Sequence, residues 1–415
     1  FRNAALSGVT VFVGMRWYNA NDARLAHEFG LKYFPTKLQS DMPSPDLPGR
    51  FWIDEKGQEP KTTAGYTYKC PVDERVYEKW LVEPHLEGIR AGLIDGIHTD
   101  WEYYGGNGEA TGICYCQDCF ARFLARQGIK ADVPEPAARL AFLKERDLVK
   151  AYADRFHQRR INMFTSLRQQ LQAAKPDLIL SVYDLKPAAR STVILEAWNT
   201  PDVPLIWLDQ RHYGTDDTQP WWESYSEKLK EEGCLYIPGG WTTALFGMQA
   251  SQVSAARWIY EAAINEDGVW LWFQRVLDDD VLRAYAQADR ELRNVQSKVG
   301  EYLLQGERDP NLATAVEWTG RPELEKAVMT YGYRLADKHL VHVNNVHTEW
   351  PLRARIRFPR LTADRKWTVL DPLAGRYYTH NGKSAVWTTA ELNAGVVIAM
   401  APRSDHFLLI APAQD

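Results

Sequence analysis

Short apolar runs of strand length recur between residues 8 and 273 and alternate with segments of helical spacing. Eight such strands are predicted, at Gly8–Trp17, Leu31–Thr36, Tyr66–Pro71, Leu93–Tyr104, Leu178–Tyr183, Pro204–Leu208, Leu235–Ile237 and Val269–Phe273. Parallel strands need helical crossovers, and eight strand and helix pairs are typical of a closed (β/α)8 TIM barrel. An open doubly wound sheet is the alternative, but no Gly-x-Gly-x-x-Gly motif follows the first strand. The pattern therefore favours an α/β barrel.

The sequence pattern changes near Asp309. From Ala313 to the end, polar and apolar residues alternate between turn signals, as in Arg353–Phe358. Such alternation predicts antiparallel strands with one buried face. We therefore predict a barrel domain at residues 1–308 and a small C-terminal antiparallel β-sandwich at residues 309–415.

Charge and hydropathy narrow the classes of function. The 415-residue chain has 49 Lys and Arg against 54 Asp and Glu, and the net charge of -5 argues against an electrostatic nucleic-acid binder. No run of ~18 apolar residues is present, so we expect no transmembrane helix and a soluble protein. The chain begins at Phe1 rather than at methionine, so the sequence does not indicate the cellular compartment. Secretion or periplasmic location after removal of a leader is one of the alternatives.

The stretch Leu93–Tyr104 places ionisable groups along one strand. Side chains alternate between the faces of a strand, so His98, Asp100 and Glu102 project to the same side. Burying these groups unpaired is costly, and a cleft that offers water, a metal or a substrate is the economical explanation.

Glu102 falls at the C-terminal end of its predicted strand, where barrels carry their catalytic residues. Its aromatic neighbours and the adjacent Asp100 both raise the pKa of a carboxyl group toward that of a proton donor. Cleavage of a glycosidic bond needs such an acid. The alternative is a structural carboxylate paired with an arginine of a neighbouring strand.

Glycoside hydrolysis also needs a second carboxylate, about 5 Å or about 6.5–9.5 Å from the first. Asp184 and Asp209 follow the next two predicted strands and are the candidates, although either can instead be a helix cap or a loop anchor. Asp209 is followed by polar residues that suit hydroxyl recognition, among them Arg211 and Tyr213.

Aromatic residues make up 12% of the chain and are frequent at the predicted strand ends. Their flat apolar faces suit the stacking of sugar rings, although tryptophan on a barrel strand is also ordinary core. The predicted substrate-binding residues are Trp17, His98, Tyr104, Tyr183, Arg211, Tyr213, Trp241 and Trp272.

Four of the five cysteines have a spacing that suits a metal site. Cys70, Cys114, Cys116 and Cys119 can close a tetrahedral zinc site, which would be structural rather than catalytic. The alternatives are a disulfide of Cys70 or free thiols. Cys234 is expected to be a small buried apolar residue. No cofactor is expected for catalysis.

The segment Asp95-Gly-Ile-His-Thr-Asp-Trp-Glu is similar to the Asp-Gly-x-Asp-x-Asp-x-Glu signature of family 18 chitinases. This resemblance implies that Glu102 is the acid/base and that Asp100 orients the acetamido group of the substrate. His98 stands where the family has its first interior Asp, and Asp209 matches the last residue of the family's Met-x-Tyr-Asp strand.

A second resemblance covers more of the chain. Thr99-Asp-Trp-Glu, the segment Cys114-Tyr-Cys-Gln-Asp-Cys-Phe and the upstream Cys70 resemble family 42 β-galactosidases and related barrel hydrolases. The resemblance implies an acid/base Glu at the end of strand four and a zinc site formed by the four cysteines. Trp101 replaces the family's Asn before that Glu, and the predicted strand seven carries no Glu for a nucleophile.

These observations lead to the expectation of a glycoside hydrolase that acts on an oligo- or polysaccharide. The missing Glu on strand seven keeps open a catalytically inactive barrel that only binds carbohydrate. A metal or redox protein centred on the cysteines is a third reading.

Overall fold

The structure is a computed structural model. It describes residues 2–14, 18–38, 46–61, 65–100, 112–183, 189–210, 229, 231–241, 256–257, 259–260, 263–264, 267–272, 279–317, 327–345, 347, 350–361, 365–380, 382 and 384–413. The chain divides into two compact units. The first comprises Phe1–Tyr213, Ser224–Thr243 and Asn265–Asp278, and the second comprises Gly214–Glu223, Ala244–Ile264 and Asp279–Asp415. The domain boundary between residues 308 and 309 stays a prediction.

A parallel sheet of seven strands forms the centre of the first unit. The strands are β1 (Val11–Gly14), β2 (Lys32–Leu38), β3 (Gly96–Asp100), β4 (Ile179–Tyr183), β5 (Ile206–Gln210), β6 (Leu235–Trp241) and β7 (Trp270–Trp272). They are hydrogen-bonded in chain order, and every pair is parallel. Sequential parallel order is the arrangement of a barrel, and it rules out the strand reversal of a doubly wound sheet.

The predicted strand Tyr66–Pro71 is wrong. This run forms only isolated bridges, from Thr67 to Lys61 and from Lys69 to Phe51, and β2 pairs directly with β3. A strand of a parallel sheet is covered on both faces, whereas Tyr66 is 51% exposed. Seven of the eight predicted strands are therefore present, and no pairing of β7 with β1 is seen in the described part of the chain.

Helices alternate with these strands. They are α1 (Arg2–Leu6), α2 (Ala20–Glu28), α3 (Glu74–Tyr77), a π-helical turn (Glu78–Val82), α4 (Glu83–Arg90), α5 (Gln117–Arg126), a 3-10 turn (Pro136–Ala138), α6 (Arg139–Glu145), α7 (Val149–Ala174) and α8 (Ala189–Trp198). None of the described helices has the length and apolar character needed to cross a membrane.

One face of the parallel sheet packs against the helices. Ile97, Val182 and Trp207 lie on successive strands and share a buried core with Phe164 and Trp198 of α7 and α8. Side chains alternate along a strand, so the residues between them belong to the opposite face, which we call the inner face. The inner face is where the polar residues of β3 lie.

The sheet curls around its inner face. Tyr183 of β4 and Trp270 of β7 make an edge-to-face contact with ring centroids 5.3 Å apart. Because neighbouring strands are about 4.8 Å apart, these two strands would be roughly 14 Å apart in a flat sheet. The contact therefore indicates barrel-like curvature. Gly239 of β6 makes room for it, since a Cβ atom there would collide with Trp270.

The second unit is rich in antiparallel sheet. It contains the helix α9 (Asp279–Gln305), the strands β8 (Glu307–Arg308), β9 (Thr314–Glu317), β10 (Val328–Leu335), β11 (Lys338–Asn345), β12 (Leu352–Arg357), β13 (Lys366–Asp371), β14 (Arg376–Tyr377), β15 (Val386–Thr388), the helix α10 (Thr389–Ala394), β16 (Val396–Met400) and β17 (Ser404–Pro412). One sheet has the order β14-β13-β17-β11-β10-β8 with β15 beside β13, and the other has the order β16-β12-β9.

Both sheets of the second unit contribute to one core. Val341 and Leu408 come from the larger sheet, and Ile356 and Ile398 come from the smaller one. Two sheets that bury their apolar faces against each other form the layers of a β-sandwich. The predicted β-rich C-terminal region is thus confirmed.

Asp95 anchors the end of β3 that lies opposite to Asp100. Its carboxylate accepts hydrogen bonds from the backbone N–H of Tyr33 at 3.0 Å, from Lys32 at 3.1 Å and from His27 at 2.7 Å. Lys175 Nζ lies 3.7 Å away. Burial opposes the charge, but the bond from the Tyr33 N–H and those from His27 and Lys32 hold the pKa of Asp95 below its ordinary value.

We expect Asp95→Asn to lower the free energy of unfolding at pH 7 by about 1–3 kcal/mol, because it weakens the acceptor of the buried Tyr33 N–H and removes the charge that pairs with Lys32 and His27. The pKa of Asp95 is lower in the folded chain than in the unfolded chain, where it is about 3.9. Its contribution to the free energy of unfolding is therefore complete above pH ~3.9 and is lost as the pH falls through the folded-state pKa. The difference from wild type should therefore shrink in acid. Urea unfolding at several pH values tests this, with the exposed Asp177→Asn as the control. Equal losses of unfolding free energy in the two variants would contradict a stabilising role of Asp95.

Candidate functional site

Polar residues occupy the inner face of β3. His98 is in register with Thr36 of β2 and with Ser181 of β4, and all three side chains are buried. Asp100 is in register with Tyr183 of β4 one layer closer to the C-terminal end of the strands. Asp100 is only 6% exposed, so its carboxyl group is largely removed from water.

His98 is a neutral hydrogen-bonding group. Its Nδ1 lies 3.0 Å from the hydroxyl oxygen of Ser181. Complete burial lowers the pKa of His98 to about 3, so the imidazole carries no charge at neutral pH. An acid or base that cycles near pH 7 needs a pKa close to that pH, and His98 instead suits the binding or positioning of a neutral group.

Ser181 and Trp270 belong to this face but were not among the predicted site residues. Ser181 holds the His98 ring, and Trp270 contacts the Tyr183 ring. The signal for Ser181 was its separation of two residues from the predicted Tyr183, since residues two apart share a strand face. The inner face thus brings together His98, Asp100 and Tyr183 of the predicted set.

The other predicted residues of the cleft are described only in part. Trp241 and Trp272 are paired in register on β6 and β7, and Asp209 of β5 is in register with Pro238 of β6. The structure gives no description of the side chains of these three predicted residues. Glu102, Asp184, Trp17, Tyr104, Arg211 and Tyr213 lie outside the described residues.

The four predicted metal-binding cysteines converge. All four are buried, and their Sγ atoms lie within 4.8 Å of one another. The sulfur atoms of Cys70 and Cys119 are 3.6 Å apart, far longer than the roughly 2.05 Å of a disulfide. All five cysteines of the chain are free. The structure therefore gives Cys70 no disulfide.

Two segments bring the cysteines together. Cys70 follows the Phe51–Lys69 bridge, and its backbone N–H donates to the carbonyl of Arg50 at 2.8 Å. The N–H of Tyr115 donates to the carbonyl of Ile53 at 2.7 Å, which joins the second cysteine segment to the first. The loop that carries Cys70 is thus tied to the chain that follows β3.

The second segment leads into a helix. Cys116 is the N-cap of α5, and Cys119 lies in its first turn. The N–H of Cys116 donates to the sulfur of Cys114 at 3.4 Å. Free N–H groups and the positive end of a helix dipole both favour thiolates at such a position.

The geometry fits a tetrahedral metal ion. Zinc–sulfur bonds of about 2.3 Å place the sulfur atoms of a tetrahedral site ~3.8 Å apart, which agrees with a cluster whose ligand atoms lie within 4.8 Å. Burial raises the pKa of Cys114. Hydrogen bonds lower the pKa of Cys116, and the largest contribution comes from the bond with Cys114. Buried thiolates need a positive charge nearby, and a divalent cation bound by the four sulfur atoms would supply it.

Comparison with solved structures supports the architecture. No family model matches the chain, and no curated protein matches it. A β-galactosidase from Bacillus circulans sp. alkalophilus is similar, with 10% identity, coverage of 99% of this chain and 96% of that chain, and a TM-score of 0.54. An α-amylase from Geobacillus thermoleovorans is 9% identical, with coverage of 99% of this chain and 90% of that chain and a TM-score of 0.52.

A trehalose-6-phosphate hydrolase from Bacillus licheniformis is also similar, with 11% identity, coverage of 98% and 93%, and a TM-score of 0.50. Identities this low establish the fold alone. The chain accordingly shares with these structures a TIM-barrel-like fold with a β-rich C-terminal region.

Proposed function

We propose that this protein is a glycoside hydrolase that cleaves a glycosidic bond in an oligo- or polysaccharide. The observation that carries the proposal is the buried Asp100 on the inner face, at the C-terminal end of β3. Glu102 follows it by two residues in the sequence. Barrel enzymes carry their catalytic residues at this end of the strands.

In the proposed mechanism Glu102 protonates the oxygen of the leaving group, and Asp100 orients the substrate or polarises it. Asp209 or Asp184 acts as the nucleophile or as the base that activates water. A carboxyl group as buried as Asp100 interacts strongly with any charge that develops nearby, because the local dielectric is low. This burial supports a role for Asp100 next to the reacting centre.

The sugar is proposed to bind against the aromatic residues of the strand ends. Tyr183 and the predicted Trp241 and Trp272 offer flat apolar faces, and neutral His98 offers a hydrogen bond from a ring that Ser181 holds. The predicted Trp17, Tyr104, Arg211 and Tyr213 complete this proposal.

We expect Glu102→Gln to reduce kcat on an aryl glycoside or an oligosaccharide by about 10²–10⁴-fold, because the amide cannot donate the proton. Thermal unfolding should change little. The exposed Glu28→Gln is the control and should keep full activity. Retained turnover in the Glu102 variant would refute its role as the acid.

A carbohydrate-binding barrel without catalytic activity is the second candidate. The observation that favours it is the strand β6, whose sequence Leu-Tyr-Ile-Pro-Gly-Gly-Trp contains no carboxylate. Calorimetry combined with product analysis separates the two functions, because a binding protein retains the oligosaccharide uncut. Binding without any cleavage by the wild-type protein would favour this candidate.

We also propose that the four cysteines hold a structural zinc ion. Cys70, Cys114, Cys116 and Cys119 would be its ligands, and they are buried with no other metal-binding group needed to complete a tetrahedron. A structural zinc ion stabilises the folded chain because the unfolded chain has no preformed site. It takes no part in the proposed reaction.

We expect the purified protein to contain about one zinc ion per chain and Cys119→Ser to lose most of it, since three thiolates bind zinc less tightly than four. Removal of the metal should lower the melting temperature. Cys234→Ser is the matched control, because Cys234 is buried outside the cluster. Metal analysis and thermal unfolding test the proposal, and a zinc content near zero in the wild type would overturn it.

A further inference from the structure

Arginine side chains surround the four cysteines. Arg159 of α7 donates from Nη1 to the sulfur of Cys119 at 3.4 Å and from Nη2 to Asp118 at 3.3 Å. Arg50 pairs through Nη1 with the same carboxylate at 2.5 Å, and its carbonyl accepts the bond from the N–H of Cys70. The guanidinium of Arg159 thus contacts the cluster directly, and that of Arg50 is held next to it through the shared Asp118.

Arg139 of α6 approaches the cysteine segment from another element. Its Nη1 donates to the carbonyl of Tyr115, the residue between Cys114 and Cys116, and its Nε donates to the carbonyl of Pro134 at 2.9 Å. The residue is 4% exposed, and its Nη2 donates to Gln117 at 2.8 Å. Burial lowers the pKa of Arg139, and negative charge on Cys116 and on Glu135 opposes that shift. A buried charge without a counter-charge costs several kcal/mol, so the position of Arg139 needs an anion nearby.

A cavity of about 520 Å³ lies beside the cluster. Its charged lining residues are Arg50, Asp73, Glu74, Arg75, Arg122 and Arg159. An arginine-lined cavity suggests an anion site at first sight. Each of the four arginines, however, already pairs with Asp73 or Asp118.

The exposure and the contacts of the arginines decide between an anion site in the cavity and a supporting role at the cysteines. Arg75 and Arg122 are 59% and 68% exposed, so water screens their charges, whereas Arg159 contacts a cysteine sulfur and Arg139 is buried beside the cysteine segment. A divalent ion held by four thiolates carries two negative charges. Arg159 and Arg139 therefore face a centre of net negative charge, which accounts for their positions without a further anion.

We propose that Arg159, Arg50 and Arg139 are the compensating cations of a metal site in which all four cysteines bind as thiolates. The inference rests on the proposed zinc site and adds the residues that make a site of net charge -2 tolerable in the interior. Arg159 acts through the sulfur of Cys119, and Arg139 acts through the backbone between two ligands. Groups that hydrogen-bond to metal ligands typically change metal affinity by 10–100-fold.

The test measures the release of zinc to a chromogenic chelator from Arg159→Gln and Arg159→Lys. We expect release to be about 10–100-fold faster in Arg159→Gln, which removes the charge, and closer to wild type in Arg159→Lys, which keeps it. Arg122→Gln is the matched control, because Arg122 pairs with the same Asp118 but is 68% exposed and does not contact a cysteine. Its release rate should stay within about twofold of wild type.

Arg50→Gln provides a second variant in case Arg159→Gln does not fold, and it should also speed the release of zinc. The charge-transfer absorption of the Co²⁺-loaded protein gives a second readout of thiolate ligation. Equal release rates for Arg159→Gln, Arg50→Gln and Arg122→Gln would overturn the inference while the zinc site itself stands. A wild-type protein without zinc would refute the proposed metal site instead. Inorganic phosphate that binds the zinc-loaded protein and protects it against unfolding would show the cavity to be an anion site and would also overturn the inference.

Discussion

The cost of removing charge from water governs both polar clusters of the first unit. Asp100 and His98 lie on the inner face of β3, and the four cysteines lie in the segment that follows it. The two clusters offset this desolvation cost in different ways. His98 avoids it by remaining neutral, whereas the cysteines gather arginines around them. Asp100 keeps a carboxyl group at the end of the strand, where a substrate with hydroxyl groups would replace the lost water.

The sequence predicts strands well where a strand is buried on both faces. The predicted runs Leu178–Tyr183 and Pro204–Leu208 are largely apolar, and they form β4 and β5 of the parallel sheet. Tyr66–Pro71 has the same length and similar residue types, but it pairs with its own loop. Local pattern does not distinguish the two cases, because the partner of a strand is chosen by tertiary contacts.

The polar face of β3 was predictable from alternation alone, since His98 and Asp100 are two residues apart. Its partners were harder to foresee. Ser181 comes to His98 from 83 residues away, and only the register between β3 and β4 brings them together. The cysteine cluster was likewise predicted from spacing, but the arginines beside it were not. Arg139 and Arg159 come from two later helices, and arginines on helix surfaces are too common to carry a signal of their own.

Zinc held by the cysteines would also act on the strand end without touching the substrate. Asp100 ends β3, and Cys114 is the first of the three cysteines that follow this strand, so a metal at the cluster would hold the chain in place at Cys114. Closing a segment between two rigid points reduces the conformations that it loses when a substrate is bound. A structural metal at this place would thus support the strand end from a distance, without supplying a group to the proposed reaction. Arg159 and Arg139, which contact the cysteine segment, would then determine how firmly the chain is held there.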